Sequence, residues 1–134
     1  MAKILIIEDQ ESLCNLYRTV LRTFNHDIVF ATTGAAGVEA AQADRPDLII
    51  LDLLLPEMPG AEVAEKLQEL GILPDIPLIV TTALDQMEAK FIAESVGAVA
   101  VLNKPFSVNS MIELLNGILD GSGPKALSQE RSAA

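Results

Sequence analysis

The sequence predicts an α/β fold, a single doubly wound parallel sheet built from five βα units. Three observations predict it. Short apolar runs recur along the chain and end in polar or turn residues, as strands buried on both faces require. Between them, apolar residues recur at three- and four-residue spacing, the mark of helices with one buried face. The two patterns alternate from end to end, which is how a parallel sheet with helices on both faces is written in sequence.

Each element follows in order. Lys3-Ile4-Leu5-Ile6-Ile7 is the first strand and runs into Glu8-Asp9. Leu13, Leu16, Tyr17, Val20, Leu21 and Phe24 then mark the buried face of the first helix. Residues 27–31 read as strand two, and residues 34–43 as a small Ala-rich helix stopped before Pro46. Strand three is residues 47–51 and runs into Asp52. Helix three spans residues 60–70, with Val63, Leu67 and Leu70 inward and Gly71 as its stop. Strand four is residues 77–81, and helix four is residues 85–96, stopped by Gly97. Strand five, residues 99–102, runs into Asn103-Lys104-Pro105, and Ser107 caps a fifth helix reaching about Asp120. Residues 121–134 carry little apolar content; they are expected to form a flexible tail, too short for a second domain.

Composition narrows the function. The 134 residues are 50% hydrophobic, enough for one well-buried domain, and only 4% aromatic, so aliphatic packing dominates. A formal net charge of −10 argues against a nucleic-acid footprint, which needs a basic surface. The single cysteine, Cys14, cannot form an internal disulfide and reads as a small core or boundary residue. The single histidine, His26, reads as a solvated turn residue, which leaves histidine-based catalysis and His-rich metal sites without support. The serines have no nearby base, and the glycines form no phosphate loop of nucleotide-binding type. No stretch approaches the ~18 apolar residues of a membrane span. The chain enters a strand directly, so no leader is expected, and the cytoplasm is the expected compartment.

The strand ends carry the chemistry. A carboxylate placed directly after a buried strand is costly unless something needs it there. Ligands of open parallel sheets bind outside the carboxyl ends of the strands, near the switch point. Four strand ends bring Glu8, Asp9, Asp52, Thr82 and Lys104 to that edge, a constellation suited to Mg²⁺-assisted phosphoryl transfer onto a carboxylate. Singly, each has a plainer reading. Asp52 could cap a turn, Glu8 and Asp9 could cap the first helix, Thr82 could be a β-branched strand residue, and Lys104 a solvated charge. Together these plainer readings lose weight. Thr81, the neighbour of Thr82, is expected to face the other way.

Glu8-Asp9, Asp52 with Leu53-Leu54-Leu55-Pro56, Thr82-Ala83 and Lys104-Pro105-Phe106 together resemble the receiver domain of two-component response regulators. The resemblance covers roughly residues 2–120. It implies the flavodoxin-like strand order 2-1-3-4-5, a receiver domain over residues 1–120 and a flexible tail over 121–134. It implies Asp52 as the phosphoacceptor, taking its phosphoryl group from a sensor histidine kinase or a histidine phosphotransfer protein, with Thr82 and Lys104 binding phosphoryl oxygens. It implies Mg²⁺ or Mn²⁺ held by Asp9, Asp52 and the Leu54 backbone carbonyl, with Glu8 acting through water. A cis bond before Pro105 also follows from it. The output surface would be the face formed by helix four, strand five and helix five, contacting a downstream protein or a second copy. Such a domain is an enzyme only toward its own aspartyl phosphate, and it either stands alone or belongs to a longer regulator or hybrid kinase.

The sequence departs from the family at several positions. Glu8 stands where an aspartate is more common. Val101 replaces the aromatic residue that usually changes rotamer on activation, and Val99 and Ala100 replace a polar pair, so this face is expected to be more adhesive. Leu54 and Leu84 offer no polar group to a hydrolytic water, which predicts slow self-dephosphorylation. The competing readings are a phosphate-independent interaction module of receiver-like fold and a flavodoxin-like cofactor binder. The latter needs a phosphate-cradling loop after strand one, where Glu8-Asp9 would repel a phosphate.

Overall fold

The computed structural model describes residues 2–119 and 128–130. Five strands, β1 Lys3–Ile7, β2 Asp27–Ala31, β3 Leu48–Asp52, β4 Leu78–Thr82 and β5 Ala100–Asn103, alternate with α1 Glu11–Thr23, α2 Gly34–Ala43, α3 Gly60–Glu69, α4 Gln86–Val96 and α5 Val108–Leu119. The five strands are parallel and stand in the order β2-β1-β3-β4-β5, as expected. The chain reverses direction of winding at β1 and β3, so the loops after these two strands open side by side.

Alternation along each strand sends successive side chains to opposite faces, and each face has its own core. Leu5, Ile7, Ile49, Leu51, Leu78, Val80 and Val101 pack under α2, α3 and α4 through Ala41, Val63, Leu67, Ala89 and Ala93. Ile4, Ile6, Leu48, Ile50, Ile79 and Leu102 pack under α1 and α5 through Tyr17, Leu21, Met111 and Leu115. β3 and β4 are buried at every position, which is why their sequences read as continuous apolar runs.

The helix signals act as read, with two exceptions. Gly97 ends α4 in the left-handed conformation at φ 78°, where a side chain would be strained. Asp85 caps α4 by accepting from the Glu88 amide, and Ser107 accepts from the Ser110 amide at the start of α5. Phe24 and Leu70, expected inward, are 42% and 45% exposed. Both are C-cap residues, one position past the last helical turn, where the helical period no longer sets direction.

The strand boundaries shift by one residue, so Asp52, Thr82 and Asn103 are the last residues of β3, β4 and β5. Of the expected tail, residues 121–127 and 131–134 lie outside the described residues. Ser128–Glu130 instead form β6, parallel to β5 and pairing Ala100 with Ser128 and Leu102 with Glu130. An open sheet edge recruits backbone groups, which leaves no hydropathy pattern to read in Ser-Gln-Glu.

Candidate functional site

β1 and β3 are neighbours in register, Ile7 opposite Leu51, so the residues that follow them meet at the sheet edge. Glu8 and Asp52 are buried, at 1% and 3% exposure, while Asp9 is exposed. One ligand oxygen from each of Glu8, Asp9 and Asp52 lies within 4.8 Å of the others. Asp52 is held in place by its own loop, the Leu54 amide donating to Oδ1 at 3.0 Å. The loop in turn is closed by Gly60, whose amide donates to the Leu53 carbonyl at 2.9 Å. A Cβ on Gly60 would sit 2.6 Å from the Asp52 carbonyl oxygen and from the Leu53 Cα, so only glycine permits this approach. The sequence marks Gly60 only as the start of α3. Its contact with the acceptor loop has no one-dimensional signal.

Lys104 reaches the carboxylates from the end of β5. Its amide is anchored to the Thr82 carbonyl at 2.7 Å, and its Nζ lies 3.1 Å from Asp52 Oδ2 and 3.1 Å from Glu8 Oε1. The Lys104–Pro105 bond is cis. Burial pushes the Glu8 carboxyl up to about 7, and the nearby Asp52 charge adds to this, while Lys104 opposes it. Two buried carboxylates and one ammonium leave the site short of positive charge. Glu8 Oε1 accepts no hydrogen bond, although the ammonium is close. An all-oxygen donor set with a surplus of negative charge fits a hard divalent cation such as Mg²⁺ or Mn²⁺.

Thr82 is fully buried, and its Oγ1 accepts from the Leu84 amide at 3.1 Å, which places the hydroxyl at the same edge but engaged with its own loop. Leu54 is 53% exposed beside Asp52. Leu84 is partly buried against the α2–α4 core. Thr81 faces away from Thr82, as alternation along β4 requires, which puts it, fully buried, beside Asp52, its partner in register. Val101 corrects an expectation. It is fully buried in the α2–α4 core and Ala100 is fully buried in the other, so neither makes the surface adhesive. The exposed apolar side chains on that side are Met87 and Phe91 of α4, at 84% and 74% exposure. His26 is not a free turn residue: its Nδ1 accepts from the Ala2 amide at 3.2 Å, and burial lowers its pKa.

The family model described as the response regulator receiver domain matches residues 4–116. The chain is 32% identical over 128 residues to the alkaline phosphatase synthesis transcriptional regulatory protein PhoP of Bacillus subtilis, covering 96% of this chain and 52% of PhoP. It thus spans about half the length of the transcriptional regulators it matches. It is 28% identical over 121 residues to protein PilH of Pseudomonas aeruginosa, covering 90% of this chain and 100% of PilH. Among solved structures, chemotaxis protein CheY4 of Vibrio cholerae superposes with a TM-score of 0.82 at 27% identity, over 88% of this chain and 98% of that one. Among the described residues, no helix is long and apolar enough to cross a membrane.

Proposed function

The chain belongs to the response regulator receiver domain family, and on that premise we propose that it is a phosphoacceptor of two-component signalling, with Asp52 as the acceptor. The observation that carries this reading is the Lys104 ammonium 3.1 Å from Asp52 Oδ2, in a site where three carboxylates gather within 4.8 Å. A carboxylate oxygen of Asp52 attacks the phosphorus of a phosphohistidine on a kinase or phosphotransfer protein. The P–O bond forms as the P–N bond breaks, and the electron pair returns to the departing imidazole. The product is an aspartyl phosphate. Lys104 holds the incoming phosphoryl charge, and the Thr82 hydroxyl, which accepts from the Leu84 amide, donates its proton to a phosphoryl oxygen. Asp9, Asp52 and the Leu54 carbonyl would hold Mg²⁺ or Mn²⁺ directly, and Glu8 through water. A bound cation supplies the charge neutralisation that lets two anions meet.

Beside the site, an open cleft of about 470 Å³ between α1 and the loop after β5, lined by Leu13, Leu16, Ala83, Lys104 and Phe106, offers the phosphodonor protein a docking surface. Residues 1–120 are the receiver unit, and its setting is the cytoplasm. Movement of Thr82 carries the β4–α4 loop with it, and the reading surface is α4, β5 and α5, where Met87 and Phe91 are exposed. Leu54 and Leu84 place no polar group beside the aspartyl phosphate, and its half-life should exceed minutes when chased by mass spectrometry. Replacing both with Asn should shorten it.

The test is intact mass after incubation with acetyl phosphate and Mg²⁺, beside Asp52→Asn. One added phosphoryl group in the parent alone supports the proposal. No addition to folded protein would leave a phosphate-independent interaction module.

A further inference from the structure

Beneath the carboxylates lies a second polar group that the phosphoacceptor reading does not use. The α1–α5 face of the sheet carries Ile6, Ile50, Ile79 and Leu102 in one layer, with Tyr17 of α1 packed in the same core. Two residues further along each strand direction, on the same face, come Glu8, Asp52, Thr81 and Lys104. Register places Asp52 beside Thr81, and the Lys104 contacts tie Glu8 and Asp52 together. Tyr17 therefore stands where the apolar layer gives way to the polar one. It is fully buried, with its ring 6.2 Å from that of Phe106.

Two buried hydroxyls on this face, Tyr17 Oη and Thr81 Oγ1, have no hydrogen-bond partner among the described residues, and Glu8 Oε1 has only the Lys104 ammonium beside it at 3.1 Å. Buried polar groups are rarely left unpaired, and two such hydroxyls on the face of a carboxylate with a free lone pair are what an ordered water needs. The hydroxyls are able to donate and the carboxylate is able only to accept. The influence of the Glu8 and Asp52 charges on the Tyr17 hydroxyl, which raises its pKa beyond what burial does, agrees with this proximity.

We propose that Tyr17 is a positioning residue of the acceptor site, its hydroxyl and that of Thr81 holding Glu8 Oε1 through one buried water. This rests on the phosphoacceptor reading of the same site. The contact acts from below, on the carboxylate oxygen that the Gln10 amide does not hold and that otherwise meets only the Lys104 ammonium, and fixes the plane in which Glu8 faces the cation.

Tyr17 is also the single tyrosine of a chain without tryptophan, so its emission reports on this place alone. Mg²⁺ is titrated by calorimetry into the parent, Tyr17→Phe, Thr81→Val and Thr81→Ser, with tyrosine emission followed wherever Tyr17 remains. Tyr17→Phe and Thr81→Val should bind Mg²⁺ roughly tenfold more weakly. Thr81→Ser should match the parent, and the parent's emission should change saturably with the calorimetric Kd. Equal affinities, with Tyr17→Phe and Thr81→Val melting at or above the parent, would overturn the inference, because deleting an unpaired hydroxyl relieves a cost. A parent that takes no Mg²⁺ sinks the metal-site reading instead. The melting order then still decides the network: parent and Thr81→Ser above the other two keeps it, and the reverse order removes it.

Discussion

Lys104 sets one ammonium against two buried carboxylates, 3.1 Å from each. Removing one partner of a buried ionic cluster costs more than the cluster contributes, because the remaining charges stay desolvated. Lys104→Met should therefore lower the unfolding free energy by about 3 kcal/mol at pH 8 without divalent cation. Mg²⁺ should restore part of it, as urea denaturation with and without the ion will read. Glu8 gives the site its pH dependence. Its folded pKa, raised to about 7 chiefly by burial, exceeds its ordinary value near 4.5. The folded state thus holds the proton more tightly than the unfolded chain does. The stability due to Glu8 is complete below pH ~4.5 and is lost as the pH rises through about 7, by at most about 3 kcal/mol. Metal-free protein should melt lower at pH 8 than at pH 5.5, and Mg²⁺ should raise the melting temperature more at pH 8. Glu8→Gln should flatten the pH profile. An unchanged slope in that variant would remove Glu8 as its origin.

At the scale of elements, the α3 start is what fixes the acceptor loop. Gly60 sits against the backbone of Asp52 and Leu53, where the neighbouring atoms cannot rotate away. Gly60→Ala should cost about 2 kcal/mol or more and slow phosphorylation by acetyl phosphate, since the loop must move for the helix to form. If the variant matches the parent in both denaturation midpoint and labelling rate, the loop is not held by α3. This element also separates what sequence can and cannot convey. The turn residues Pro59 and Gly60 announce a helix start, but the partner of that start lies in another strand end. Phe24 and Leu70 miss in the same manner: periodicity continues in sequence past the residue where the helix ends in space.

For the whole molecule, the two cores leave the α2–α4 layer with an apolar outer side at Met87 and Phe91. Two large side chains one helical turn apart form an anchor pair for a partner helix or a second copy. Sedimentation velocity before and after phosphorylation should detect association that Met87→Glu with Phe91→Glu abolishes. A strict monomer in both states would confine the surface to other partners. The sheet extends to β6 on the β5 edge, so the same side of the molecule carries both features.

The alternation of apolar runs and helical stripes determined the βα rhythm, because burial on both faces leaves strands no polar positions. The costly residues at the strand ends, Glu8, Asp9, Asp52, Thr82 and Lys104, were likewise legible, because polar groups next to buried strands stand out against their surroundings. Only the tertiary structure decided which side chains meet across the sheet. It put Thr81 beside Asp52, buried Val101, and left Tyr17 with an unpaired hydroxyl under Glu8. Those facts depend on register and twist between strands far apart in the chain. A one-residue slip in pairing register would send a strand's side chains to the other face, and no local pattern in the sequence fixes that register.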